Sequence, residues 1–232
     1  MQRSESLISN AASGLFADPI VGRVGAVLAV KIRTESASPG KLFGQWGSSS
    51  KWEKRKLLKE QLQLINKKSH YFLTNNILCC IHIDFDMADL LIQDTEISAL
   101  AKSKSFLRLE ISEDFPNLSD GRSNRLLQTL SNDYLLWLGD LGSGGASLRA
   151  LQEKLYDAVR INRDFFNLYS QSVIWPVIIK NVMRYCNFIF ITDVSYPDQY
   201  VTLEKDISVM SRRFIKSVPL EEIEQLNKNF EV

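Results

Sequence analysis

Three short apolar runs in this chain each break into a polar or glycine-rich turn. They are Leu109-Glu110-Ile111-Ser112-Glu113, Trp137-Leu138-Gly139-Asp140-Leu141-Gly142-Ser143-Gly144-Gly145, and Val159-Arg160-Ile161-Asn162-Arg163. A brief apolar run closed by turn residues reads as a buried strand. Segments with helical spacing alternate with such runs. In Lys51 to Asn66, Trp52, Leu57, Leu58, Leu62 and Ile65 fall on one face among Lys and Glu. The spacing predicts further helices over Asp86 to Ala101, Asn124 to Leu130, Gly144 to Leu155 and Arg163 to Tyr185, and a last one starting near Pro219. Strands are expected within Val21 to Ile32 and over Ile77 to Ile83, Phe106 to Ile111, Tyr134 to Leu138, Ala158 to Ile161 and Asn187 to Thr192. Strands that alternate with helices imply a parallel sheet with helical crossovers. About six or seven such units suit a closed (β/α) barrel better than a short open sheet, with a doubly wound fold as the alternative.

Composition sets bounds on function. A chain of 232 residues can bury one large α/β core. Its formal net charge of +1 supplies no global attraction to nucleic acid or anionic membrane. Cys79, Cys80 and Cys186 have no metal-type spacing and read as buried, reduced thiols, which fits a cytoplasmic protein. With His70 and His82 alone, a multi-histidine metal site is impossible. The apolar stretch Val173 to Ile191 is interrupted by Lys180, Asn181, Arg184 and Asn187, so it is not a membrane span. Residues 1–18 read as a variable lead-in and 19–232 as one domain.

Each chemical feature has an ordinary structural explanation beside a functional one. The Gly139 to Gly145 loop joins a strand to a helix and could cradle a phosphate, but its spacing is that of neither a dinucleotide fingerprint nor a P-loop. Glu113 and Asp140 follow strands and could meet at a barrel mouth, yet two carboxylates are few for a hard-metal centre. His82 lies between Ile81 and Ile83 and reads as an isolated, hydrogen-bonded imidazole. Asp84 and Asp86 read as caps of the next helix. Lys51, Lys54, Arg55, Lys56 and Lys59 form the basic side of their helix, a solvated face or a site for an acidic partner. Of Tyr134, Trp137, Phe165, Phe166, Tyr169 and Trp175, most belong to the core, and some on the 163–185 segment are candidates for a partner surface.

The order and spacing of these segments resemble the EAL domain, whose active members hydrolyse cyclic di-GMP. The resemblance is carried by LEISE at 109–113, GDLGSGGASLRAL at 139–151 and AVRINRDFF at 158–166, and it runs from about Val21 to about Leu220. It implies a modified TIM-like (β/α)8 barrel with one antiparallel strand. It also implies a mouth at which active members bind Mg²⁺ through side-chain oxygens and activate a water. Carried over residue by residue, the signature glutamate falls at Val27, the asparagine ligand at His82, and the next strand-end glutamate at Glu113. The aspartate pair becomes Gly139-Asp140. The lysine and aspartate of the next strand become Arg160 and Asn162, and the following turn becomes Thr192-Asp193-Val194-Ser195.

A mouth with so few anionic oxygens should not hold a divalent cation. The expectation is therefore no catalytic residue, no metal site and no cofactor, with cyclic di-GMP binding improbable. Within the family the chain resembles the small, degenerate YdiV type. That resemblance implies a non-enzymatic cytoplasmic regulator that binds the FlhD subunit of the flagellar activator FlhDC and blocks its DNA binding, so repressing motility. It implies no direct contact with nucleic acid or membrane. A cyclic di-GMP receptor without catalysis, or a weak phosphodiesterase, are the alternatives.

Overall fold

The computed structural model describes residues 14–22, 24–34, 49–102, 104–112, 115–143, 151–192, 207–210 and 216–226. An N-terminal hairpin, β1 (Leu15–Val21) and β2 (Val27–Thr34), leads to α1 (Lys51–Lys67) and α2 (Ser69–Asn75). Then come β3 (Leu78–His82), α3 (Phe85–Gln93), α4 (Thr95–Ala101), β4 (Leu107–Ser112), α5 (Arg125–Asp133) and β5 (Leu135–Leu141). The chain continues with β6 (Tyr156–Ile161), α6 (Arg163–Tyr169), α7 (Trp175–Val182), β7 (Phe188–Thr192), β8 (Ile207–Met210) and β9 (Val218–Pro219).

Strands β2 to β8 are parallel neighbours in sequence order. Strand β1 runs antiparallel to both β2 and β8, with Val21 opposite Val209, and so closes an eight-stranded barrel. The short β9 adds antiparallel to β1 outside that ring. The expected TIM-like barrel with one antiparallel strand is the observed fold. Strand β1 starts at Leu15 and buries Ala17 and Asp18 completely, so it takes in the last residues of the expected lead-in.

Local chemistry sets the helix ends. Ser50 and Glu53 form a capping box at α1: the Ser50 hydroxyl accepts from the Glu53 N–H at 3.3 Å, and the Ser50 N–H donates to Glu53 Oε2 at 2.7 Å. The helix then buries Leu58, Leu62 and Ile65, each stabilising the fold by about 1.5–3 kcal/mol. The single helix expected over Asp86 to Ala101 is two. Asp94 ends α3 and caps α4, accepting from the N–H groups of Glu96 and Ile97 at 3.0 and 3.1 Å. The single helix expected over Arg163 to Tyr185 is also two. Pro176 has no N–H to continue a helical ladder and sits in the first turn of α7. The helix expected after Pro219 is a short 3-10 segment, Leu220–Gln225.

Two apolar layers result. The larger lies between the strands and the surrounding helices. The smaller fills the barrel interior with Ile20, Ala29, Cys80, Trp137, Ala158, Phe190 and Met210, where the Trp137 and Phe190 rings pack 5.3 Å apart. Side chains alternate along a strand, so the residues two steps nearer the C-terminal ends of the parallel strands also face inward. They form the next layer, the floor of the barrel mouth.

Candidate functional site

That layer holds Asp18 from β1, Lys31 from β2, His82 from β3, Glu110 from β4, Gly139 from β5 and Arg160 from β6. Glu110 is completely buried at its centre. Lys31 Nζ donates to Glu110 Oε1 at 2.5 Å. Arg160 donates to both oxygens of Glu110, from Nη2 at 2.9 Å and Nε at 3.2 Å. The same guanidinium grips Asp140, from Nη1 at 2.5 Å and Nη2 at 2.7 Å. His82 Nδ1 lies 3.6 Å from Glu110 Oε1. Beside Lys31, Arg33 Nε and the Ser217 hydroxyl donate to Asp18 Oδ1 at 3.0 and 2.5 Å.

The mouth is thus neutralised from within: Lys31, Arg33 and Arg160 face Asp18, Glu110 and Asp140. Burial alone would push the Glu110 carboxyl up. Arg160 first, and then Lys31, outweigh that and hold it well below the usual carboxylate range. Burial likewise opposes the charge on Arg160, and Glu110 and Asp140 override it and raise its pKa. One planar guanidinium therefore ties β4, β5 and β6 together through charge-assisted bonds.

Two backbone features make room for this arrangement. A Cβ at Gly139 would stand 2.8 Å from Arg160 Nη2 and 3.0 Å from Glu110 Oε1, so only glycine leaves the ion pair undisturbed. Asp140 adopts φ 59°, a left-handed conformation that Asp tolerates better than most residues, and there both its oxygens meet Arg160.

The Mg²⁺ that the resemblance implies does not fit this donor set. Both oxygens of Glu110 and both of Asp140 already accept from side-chain cations. Among the described residues no three of His, Cys, Asp and Glu gather as ligands. A divalent ion would have to displace a guanidinium from two carboxylates. The same contacts leave Glu110 a weak base. Cys80, buried beneath it, has its thiol pushed up by burial and is unreactive.

Of the residues singled out in the sequence, His82, Gly139, Asp140 and Arg160 come together. Val27 does not. It lies at the start of β2, and Ile32 is level with Ile81, so the β2 side chain that enters the mouth is Lys31. Asn162 is also elsewhere: its side chain caps α6, accepting from the N–H groups of Asp164 and Phe165 at 2.9 and 3.1 Å. Glu113, Gly144, Gly145 and 193–195 lie outside the described residues, and Thr192 ends β7. Lys31 and Glu110 escaped the sequence reading. Their signal is a charge inside a strand-like run, flanked directly by apolar residues: Val30 and Ile32 for Lys31, Leu109 and Ile111 for Glu110.

The other candidates take structural roles. Asp84 caps α3 through the Met87 N–H at 2.9 Å, and Lys54 bridges Asp84 and Asp86. Most of the basic side of α1 is matched to acids of α3 and α4: Lys51 pairs with Asp89, Arg55 with Asp94 and Glu96, and Lys59 with Glu96, while exposed Lys56 lies 4.0 Å from Glu60 of its own helix. It is therefore an internal ion-pair seam. Trp137, Phe166 and Trp175 are core residues.

No family model matches the chain. It is 26% identical over 142 residues to the anti-FlhC(2)FlhD(4) factor YdiV of Salmonella choleraesuis strain SC-B67, covering 60% of each chain. It is 28% identical over 125 residues to the putative anti-FlhC(2)FlhD(4) factor YdiV of Escherichia coli K12, covering 54% of this chain and 52% of that one. The match thus spans about three fifths or less of those relatives' length. The cyclic di-GMP phosphodiesterase PdeH of Escherichia coli K12 is 25% identical over 222 residues, 90% of this chain and 84% of that protein. Among solved structures, the EAL-like domain protein YdiV superposes with a TM-score of 0.80 at 22% identity, covering 91% of this chain and 94% of that one. The EAL domain of Mycobacterium smegmatis DcpA gives 0.70 at 18% identity, covering 95% and 100%. The fold and the sequence similarity agree: this chain has the EAL fold and is similar in sequence to YdiV proteins.

Proposed function

We propose that this chain is a non-enzymatic regulator of flagellar gene expression. It binds the FlhC2FlhD4 activator, contacts it through the FlhD subunit, blocks its access to DNA and so represses motility. The observation that carries this reading is the barrel mouth, where Lys31 and Arg160 occupy the carboxylates that metal-dependent hydrolysis needs. Similarity to relatives named anti-FlhC(2)FlhD(4) factors supplies the partner. No metal or other cofactor takes part, and neither nucleic acid nor membrane is contacted directly. No helix of the described residues is long and apolar enough to cross a membrane. The activator is a DNA-binding protein, so the chain acts in the cytoplasm.

The test is a pull-down with FlhD alone, FlhC alone and the assembled activator, followed by a mobility shift on promoter DNA. A stoichiometric complex with FlhD and loss of the shifted DNA band are expected. No complex at micromolar concentrations overturns the reading. The match to PdeH over most of the chain favours a second reading, a cyclic di-GMP receptor or weak phosphodiesterase. Calorimetry with the dinucleotide in Mg²⁺ or Mn²⁺, with detection of the linear product, separates the two. The ion-paired mouth argues for no heat and no product.

A further inference from the structure

Four large apolar side chains stand exposed within ten residues of the α6–α7 region: Leu168 (71% exposed), Val173 (98%), Ile174 and Val177. Other exposed apolar residues are scattered, and Trp52 is partly covered by Lys56. Surface hydrophobes standing singly need no explanation, but a cluster does. Trp175, Ile179 and Val182 turn to the core. Helical spacing then puts Val177, Lys180 and Asn181 on the opposite, outward face, with exposed Val173 in the turn just before the helix and exposed Arg184 in the turn just after it. The stripe is apolar at its start and basic at its end. Lys180 and Arg184 make no ion pair with the described residues, whereas Lys51, Lys54, Arg55 and Lys59 of α1 are each matched by acids on or capping α3 and α4. Arg184 also lines a cleft of about 300 Å³ with Lys154, Arg122 and Tyr156. The buried Tyr156 hydroxyl has no hydrogen-bond partner, and Asp157 in the same wall is already taken by Arg108.

We infer that this outer face of α7 is the docking surface for a segment of the FlhC2FlhD4 activator that presents apolar side chains followed by carboxylates. The inference rests on the function proposed above. Charge complementarity selects this occupant. The apolar half gains from burial, and the cations at the other end, exposed and without an ion pair among the described residues, suit carboxylates on a partner. A second copy of this chain fits poorly. Antiparallel pairing would bury Lys180 and Arg184 on the partner copy's apolar half, and parallel pairing would set like charges together.

The test measures binding of the assembled activator to the full chain and to two double variants, Val173→Glu/Val177→Glu and Lys180→Glu/Arg184→Glu. Unchanged melting temperatures confirm that the fold is kept, and Val173→Ser/Val177→Ser reads the same contact if the glutamates unfold the chain. Affinity is expected to fall at least tenfold in each variant, and wild-type affinity to weaken as salt rises. If wild type binds and every variant binds within twofold of it, the surface lies elsewhere and the functional reading stands. If wild type does not bind, that reading fails and this inference with it. A dimer in sedimentation that Val173→Glu/Val177→Glu dissolves would assign the face to a second copy. Flotation on anionic phosphatidylserine vesicles that the Lys180→Glu/Arg184→Glu variant abolishes would assign it to a membrane. Either result overturns the inference.

Discussion

The barrel mouth and the outer face of α7 handle charge in opposite ways. At the mouth, Glu110 is fully buried and both its oxygens are engaged, and Asp140 is held by the same guanidinium. On and beside α7, Lys180 and Arg184 are exposed and make no ion pair with the described residues, and Val173 and Val177 are exposed as well. The place where an EAL-type barrel would carry chemistry has become an internal brace. Among the described residues, exposed apolar side chains and cations without an ion pair come together on its rim of helices. Enzyme fold and enzyme site are thus separable: the scaffold needs the inward layer filled and neutral, and any arrangement that achieves this keeps the barrel.

Removing the brace gives the largest expected effect. Arg160→Met takes from buried Glu110 the larger of its two counter-charges and leaves Asp140 without its guanidinium, and is expected to destabilise the fold by about 3–5 kcal/mol in urea unfolding. A loss below about 1 kcal/mol would mean that the mouth is hydrated and the ion pairs weak. Gly139→Ala forces a methyl group against Arg160 and Glu110. It should cost about 1–3 kcal/mol by the same measurement. Acid gives a graded readout of the same contact. Glu110 is held below its unfolded value, so its contribution is complete above about pH 5 and is lost as the pH falls towards and through its folded value. The stability gap between wild type and Glu110→Gln should be widest at neutral pH and narrow towards pH 3. A gap that ignores pH would show that this carboxylate is not the charge being held. The smallest effect is expected on the rim, where Val177→Ser should leave stability within about 0.5 kcal/mol of wild type while weakening partner binding.

Much of the barrel could be read from the chain because its strands are short apolar runs between turn residues. Each of β3, β4, β6 and β7 falls within two residues of its expected place. Helix breaks were harder to see, since Asp94 and Pro176 interrupt segments whose apolar spacing runs on across them. Strand β8 has four residues, Ile207–Met210, too few for periodicity to register. In the mouth, Arg160, Asp140 and His82 were visible through the family pattern. Lys31 was not, because the apolar run Val27 to Val30 gives no anchor for register, and a match placed at Val27 is as consistent with it as one placed further along the strand. Asn162 misled for a related reason. A polar residue just past a strand serves a helix cap as readily as a site.

Barrel closure has a consequence for how the molecule is made. The seam joins β1 to β8, two strands from opposite ends of the described chain. Until β8 leaves the ribosome, a growing chain displays the free backbone edge of β7 and an incompletely paired β1, both templates for wrong pairing. Newly made copies should therefore depend on chaperones until their last strands arrive. Deleting 207–219 should yield a product that aggregates, even though every residue of the ion-paired brace is still present.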